Sequence, residues 1–347
     1  MPEFLPKLGL ALLIGIAGGA LAHAVNMPLA WMLGPMLATF AASLMRAPIA
    51  MPMKLRQPVL AVMGAFLGSS FTPDIIGQVS QWPWSIAAIM LYVPVMTLIT
   101  MLYYTKVAGL NLSTAVFAST PGGLTITVLV GSVAGGNEQQ IALLQGLRVM
   151  LVVLAAPLIV TYLTGVVPPS GMGESTRAIV TAREAGLLFA AAAAGIVIAR
   201  RINFPSPQMT GAMFASAALY LTGTIEGVLP YWFVDVALLV LGVSIGSRFV
   251  TVDPKILARL AGHGVVSVCI AVVVSGLMAW GLSSALGLDF VAVMLAFAPG
   301  GVAEMSLIAI AMDIDPGFVA LHHLARIFEI LLLTPLVAKY LQNNRQL

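Results

Sequence analysis

Charge is what this sequence has least of. Of 347 residues, 16 are Lys or Arg and 13 are Asp or Glu, so 8% are charged while 60% are hydrophobic. A soluble domain carries about 25% charged and about 45–50% apolar residues. A surface with so few charges cannot be clothed for water, which excludes a soluble enzyme and a disordered chain. Histidine and cysteine are scarce too, at four and one. A single thiol makes no disulfide scaffold, and there is no His-x3-His or Cys cluster to hold a metal. Cys269 lies in an apolar run as a packing residue. No P-loop, dinucleotide fingerprint or serine nucleophile elbow is present, so neither a cofactor nor enzymatic activity is expected. The loops are too short and too lightly charged for a nucleic-acid domain.

What the sequence does have is apolar length. Its mean hydropathy is +1.03. A spanning helix needs about 20 apolar residues, so the chain has room for about a dozen segments. An all-α polytopic membrane protein, with the lipid bilayer as its first partner, is predicted. Lys7, the apolar run after it and Ala22-His23-Ala24 look like a signal peptide. That reading is set aside because the same segment recurs inside the chain.

The recurrence has a fixed register. Pro121-Gly122-Gly123 matches Pro299-Gly300-Gly301, and 299 − 121 = 178. Arg148 matches Arg326, Pro157 matches Pro335, and Gly64 and Gly68 match Gly242 and Gly246 at that offset. Upstream the offset is 177, pairing Gly18, Asn26, Pro28 and Gly34 with Gly195, Asn203, Pro205 and Gly211. The chain therefore reads as a first membrane repeat at 1–165, a linker of mixed charge at 166–184 (Glu174, Arg177, Arg183, Glu184) and a second repeat at 185–347. Gly15-x3-Gly19, Gly64-x3-Gly68 and Gly242-x3-Gly246 read as sites of close helix packing.

Each repeat has six apolar segments, and the basic residues test how many of them cross. If all six span, with the N-terminus inside, nine Lys and Arg lie inside and five outside. If one segment per repeat enters and leaves on the same side, the second repeat inverts. Twelve then lie inside, and only Arg177 and Arg183 lie outside. Asp74, Glu226, Asp289, Asp313 and Asp315 also fall outside. The positive-inside rule prefers the second arrangement. The expectation is two inverted-topology halves with about ten spans, two broken or re-entrant Pro-Gly-Gly segments, and both termini cytoplasmic.

The fifth segment of each repeat is the re-entrant candidate. Ser119-Thr120-Pro121-Gly122-Gly123-Leu124 and Ala298-Pro299-Gly300-Gly301-Val302 cannot stay regular helix, because Pro lacks a donor and Gly favours other conformations. Gly34-Pro35 is a weaker rival. Paired breaks at matching positions of inverted repeats point to a transporter's binding site, where free helix ends offer N–H groups to an anion and carbonyls to a cation. Pro121, Gly122, Gly123, Pro299, Gly300 and Gly301 are thus candidate substrate-binding residues. Two helix kinks with close packing are the plain alternative.

Ionisable residues at membrane depth are costly and need partners. Arg148 and Arg326 sit at matching places and need an acid, backbone carbonyls or an anionic ligand; they join the substrate-binding set. His322, Arg326 and Glu329, spaced i, i+4 and i+7, share a helix face. Glu304 follows the second break, and its counterpart is Ile126, so Arg148 could pair with Glu304 across the repeats. Glu304, Glu329 and His322 are candidates for proton or ion coupling. Asp235, after Pro230-Tyr231-Trp232, is a weaker one that reads better as an interfacial charge. A structural ion-pair network is the competing reading.

Asn26-Met27-Pro28-Leu29-Ala30-Trp31-Met32-Leu33-Gly34-Pro35 and the two Pro-Gly-Gly blocks resemble the signature of the bacterial membrane AbrB-type duplication family. Its members are catalogued as regulators of the aidB gene, as AbrB-like regulators or as ammonia monooxygenases. The missing metal ligands argue against the last label, and the missing DNA-binding domain against direct gene regulation. The paired glycine-rich segments are similar in architecture to those of cation/proton antiporters and anion symporters. The expected function is secondary transport of a small, weakly preferred anionic solute, coupled to H+ or Na+, in the bacterial inner membrane, with a homodimer as one allowed assembly. The alternative is a membrane sensor that acts indirectly on gene expression.

Overall fold

The computed structural model describes residues 4–71, 82–166, 178–312 and 314–343. Most of the expected linker, with Glu174 and Arg177, lies outside the described residues, as do Asp74, Asp313 and Arg345. Among the described residues every regular element is a helix, apart from one isolated bridge between Ile179 and Val228. The first repeat supplies α1 (Phe4–Ala24), α2 (Ala30–Leu44), α3 (Met53–Gly68), α4 (Trp82–Lys106), α5 (Leu112–Ser119), α6 (Leu124–Val133) and α7 (Glu138–Thr164). The second supplies α8 (Ala182–Arg201), α9 (Pro207–Leu221), α10 (Tyr231–Gly246), α11 (Pro254–Leu286), α12 (Phe290–Phe297), α13 (Val302–Ala311) and α14 (Pro316–Asn343).

Six helical stretches are long and apolar enough to cross a bilayer: those of α1, α4, α7, α8 and α11, and Trp232–Phe249, in which α10 continues into the turn after it. The chain is a helical, multi-pass membrane protein. Helices α2, α3 and α9 have 15, 16 and 15 residues. At 1.5 Å per residue each rises about 23 Å, less than the roughly 30 Å hydrocarbon core. Pro35 lies inside a continuous α2, so Gly34-Pro35 is no break.

Local chemistry sets the helix ends. Thr181 and Glu184 form a capping box that opens α8. Asn111 caps α5 by accepting from the Thr114 amide at 2.7 Å, and Asp289 caps α12 by accepting from Ala292 at 2.6 Å. These two caps stand 178 residues apart. The loops before α2 and α9 match as closely. Asn26 and Asn203 both have φ 52°, and Leu29 and Ser206 both have φ 48°. Left-handed backbone costs about 1–2 kcal/mol in a non-glycine residue, so finding it twice in one register marks a common local design.

The chain packs as two compact units. The first holds Met1–Ser80, Ala156–Thr251 and Ser306–Ala320; the second holds Gln81–Ala155, Val252–Met305 and Leu321–Leu347. Each unit draws on both the 1–165 and the 185–347 portions of the chain. In the first unit α1 packs on α2 and α8 on α9, while α2 packs on α10 and α3 on α9. The last two contacts are reciprocal. A Cβ at Gly64 would strike the Met209 carbonyl, and one at Gly242 would strike the Met32 carbonyl. Gly68 meets Ser216 in the same way, and Gly246 meets Thr39. Reciprocity of this kind is the mark of an isologous contact. The small-residue spacings do bring backbones together, as in other membrane helix pairs. Ser216 adds a hydrogen bond to the Ala65 carbonyl at 2.7 Å.

Candidate functional site

The second unit contains both Pro-Gly-Gly segments. Helix α5 ends at Ser119, and the chain turns through Thr120-Pro121-Gly122-Gly123 before α6 begins. Gly122 has φ +134° and Gly123 has φ +62°, conformations that side chains resist. The two short helices then run antiparallel. The Asn137 amide donates to Thr114 Oγ1 at 2.8 Å, joining the far ends of the segment. Gly131 lies against Phe117. Helices α5 and α6 are thus the arms of a helical hairpin with the Pro-Gly-Gly sequence at its tip.

A helix that stops inside a protein leaves its last carbonyls without partners. In α5 two side chains of α7 take them up. Gln145 Nε2 donates to the Phe117 carbonyl and to Thr127 Oγ1, both at 2.7 Å. Arg148 donates through Nη1 to the carbonyls of Ala118 and Ser119, each at 3.2 Å, and through Nη2 to that of Thr120 at 2.9 Å. The amide also braces the two arms of the hairpin, since Phe117 and Thr127 lie on opposite ones.

The second break repeats the device. His323, the register partner of Gln145, bonds through Nε2 to the Leu295 carbonyl at 3.0 Å. Arg326 donates through Nη1 to the Ala298 carbonyl at 2.7 Å and through Nη2 to that of Gly300 at 2.8 Å. Nη2 also donates to His323 Nδ1 at 2.7 Å. An arginine can only donate, so Nδ1 is the acceptor and Nε2 carries the imidazole proton. Arg326 thereby holds His323 in one neutral tautomer.

Both arginines are buried, Arg148 at 3% exposure and Arg326 at 1%. Among the described residues their partners are carbonyls and one imidazole, with no carboxylate among them. The pairing of Arg148 with Glu304 is therefore not formed, and the carbonyls take its place. Arg326 bonds to His323 rather than to the expected face-mates His322 and Glu329. Tyr92 pairs with Ser275 Oγ at 3.0 Å, and its ring meets that of Phe297 edge-on, with centroids 5.2 Å apart.

The other candidates are placed as follows. Glu304 is buried in the first turn of α13, folded over Gly301. His322 is buried, with Nε2 2.8 Å from Ser85 Oγ. Glu329 is buried on α14, and its Oε2 has no hydrogen-bond partner. Asp235 is half-buried in α10 and belongs to the first unit. No three His, Cys, Asp or Glu side chains converge among the described residues. Gln145 is the residue that sequence reasoning missed. Its signal was available, because it and His323 precede the matched arginines by three residues.

A multi-pass helical protein with arginine-capped breaks is the class these features define. The chain belongs to the family described as Transition state regulatory protein AbrB, which matches residues 31–342. It is 27% identical over 331 residues to an Escherichia coli (strain K12) protein named as a candidate regulator, AbrB, covering 92% of this chain and 91% of that one. It is 24% identical over 344 residues to the uncharacterized protein YhjN of Bacillus subtilis (strain 168), covering 93% and 90%. Neither name is that of an enzyme.

Proposed function

We propose that the protein is a secondary transporter that carries a small anionic solute by alternating access. The observation that carries this reading is a pair of buried guanidinium groups, one capping each break, with no carboxylate partner among the described residues. A buried charge is unfavourable unless an opposite charge joins it. A solute anion supplies one. It would bind between the breaks, at Pro121-Gly122-Gly123 and Pro299-Gly300-Gly301, near Arg148 and Arg326. Glu304, Glu329 and His322 would carry the coupling H+ or Na+, with Asp235 as a further candidate.

The hairpin of α5 and α6 supports a re-entrant segment, which leaves five spans in the first repeat. An odd number inverts the second repeat, in line with the twelve-to-two split of basic residues. On this reading the chain lies in the bacterial inner membrane with both termini in the cytoplasm. Cysteine accessibility should place 166–184 outside and Lys255 inside; a cytoplasmic linker refutes the inversion. Transport itself is tested in proteoliposomes under a proton or sodium gradient, with a panel of small anions, cations and amines. Absence of flux across the panel refutes it.

The name of the Escherichia coli relative favours a second reading, a membrane sensor that influences gene expression through a bound ligand. Glu304→Gln and Arg326→Gln separate the two in an expression assay. Regulation that persists after ligand binding is lost argues against the sensor.

A further inference from the structure

We propose that the anion is a carboxylate, held on the first-turn amides of α6 beside Nε of Arg326, in the place that Glu304 occupies on α13. This inference rests on the anion-binding part of the reading above and adds the chemical class and the docking point.

The asymmetry between the breaks carries it. Helices α6 and α13 are register partners of 10 residues each, and each follows a glycine. The third residue of α13 is Glu304, whose carboxylate lies directly over Gly301. From that position a glutamate reaches back to the amides that a helix start leaves unpaired, where the helix dipole also favours negative charge. The third residue of α6 is Ile126, with Cγ2 4.0 Å from the Cβ direction of Gly123. The first intrahelical bond of α6 is from Thr127 N to the Gly123 carbonyl at 2.9 Å. The start of α6 precedes that bond, and no acid stands where Glu304 stands on α13.

Arg326 supplies a second, independent observation. Its Nη1 and Nη2 are spent on the second break, yet its buried Nε has no hydrogen-bond partner. That Nε lies 3.9 Å from the Cβ direction of Gly122, at the first break. One arginine thus serves the carbonyls of one break while its unpartnered Nε lies beside a glycine of the other. An unpartnered buried N–H costs about 1–3 kcal/mol, and an anion lodged there removes that cost. Two features select a carboxylate. It accepts several donors in one plane, as the Glu304 carboxylate can, and it can carry an apolar tail. Ile330 lies over the same glycines, 3.2 Å from the Cβ direction of Gly122 and 3.3 Å from that of Gly123. This apolar wall suits acetate or propionate better than sulfate.

The test uses the full chain purified in detergent. Thermal unfolding is followed while acetate or propionate is added, with chloride and sulfate at matched ionic strength as controls. The expected result is a saturable rise in midpoint with the carboxylates alone. Ile126→Glu builds the carboxylate into the chain and should abolish the response, whereas Ile126→Gln should keep it. Calorimetric titration of the unaltered protein with propionate, competed by acetate but not by sulfate, gives a readout that no variant's folding can obscure. No saturable carboxylate binding, or a response that persists in a folded Ile126→Glu, overturns the proposal. Carboxylate binding without flux in vesicles sinks the transport reading and leaves this one standing; flux of a cation without carboxylate binding does the reverse.

Discussion

Replacing Arg148 by methionine keeps much of the side chain's volume and removes every donor. The carbonyls of Ala118, Ser119 and Thr120 then lose their partner together. Hydrogen bonds between membrane helices are worth roughly 0.6 to 2 kcal/mol each, which for three bonds sums to about 2–6 kcal/mol. Against this stands relief of the desolvation borne by a buried cation, itself several kcal/mol. The guanidinium is already matched to three dipoles, so most of that relief is cancelled in the native state. A net loss of about 2–4 kcal/mol is expected. Arg148→Gln should recover part of it, because an amide at this position can still donate as Gln145 does one turn earlier. The measurement is denaturant unfolding in detergent micelles followed by circular dichroism. If Arg148→Met unfolds within about 0.5 kcal/mol of the unaltered protein, the guanidinium is not what satisfies the end of α5. The reasoning about the break would then fail.

Three further outcomes test other links. Gly64→Ala and Gly242→Ala should each destabilise by about 1–3 kcal/mol, since the added methyl meets a carbonyl of a neighbouring helix. Gly276→Ala, on the open face of α11, should be neutral or stabilising by up to about 1 kcal/mol; the three are compared by thermal melting. His323→Gln should melt close to the unaltered protein, because glutamine already does this work at position 145, while His323→Leu should lower the midpoint by orphaning the Leu295 carbonyl. Asn111→Ala and Asp289→Ala remove matching caps and should each cost about 0.5–2 kcal/mol in the same assay.

Much of this protein is legible along the chain. Apolar length makes it a membrane protein, because the bilayer demands helices of known span. The 178-residue register marks the matching helices, caps and breaks, because residues that must adopt one special geometry recur with it. Pro121-Gly122-Gly123 announces an interrupted helix, since proline lacks a donor and glycine accepts positive φ.

Partnership is what the chain order withholds. Arg148 could have met Glu304, a carbonyl or a ligand; the fold brings α7 across the end of α5 and so selects the carbonyls. The register made Arg148 and Arg326 equivalent, and both keep a buried Nε without a hydrogen-bond partner; only the fold shows that the Nε of Arg326 lies beside Gly122. Nor are the compact units the two repeats, because each unit draws helices from both. Sequence determined which residues are special and that they come in pairs, because those properties reside in single side chains and their spacing. Tertiary structure alone decided what each one touches, because an orphaned carbonyl and the donor that satisfies it are 28 to 30 residues apart along the chain at Arg148 and meet only when the helices cross.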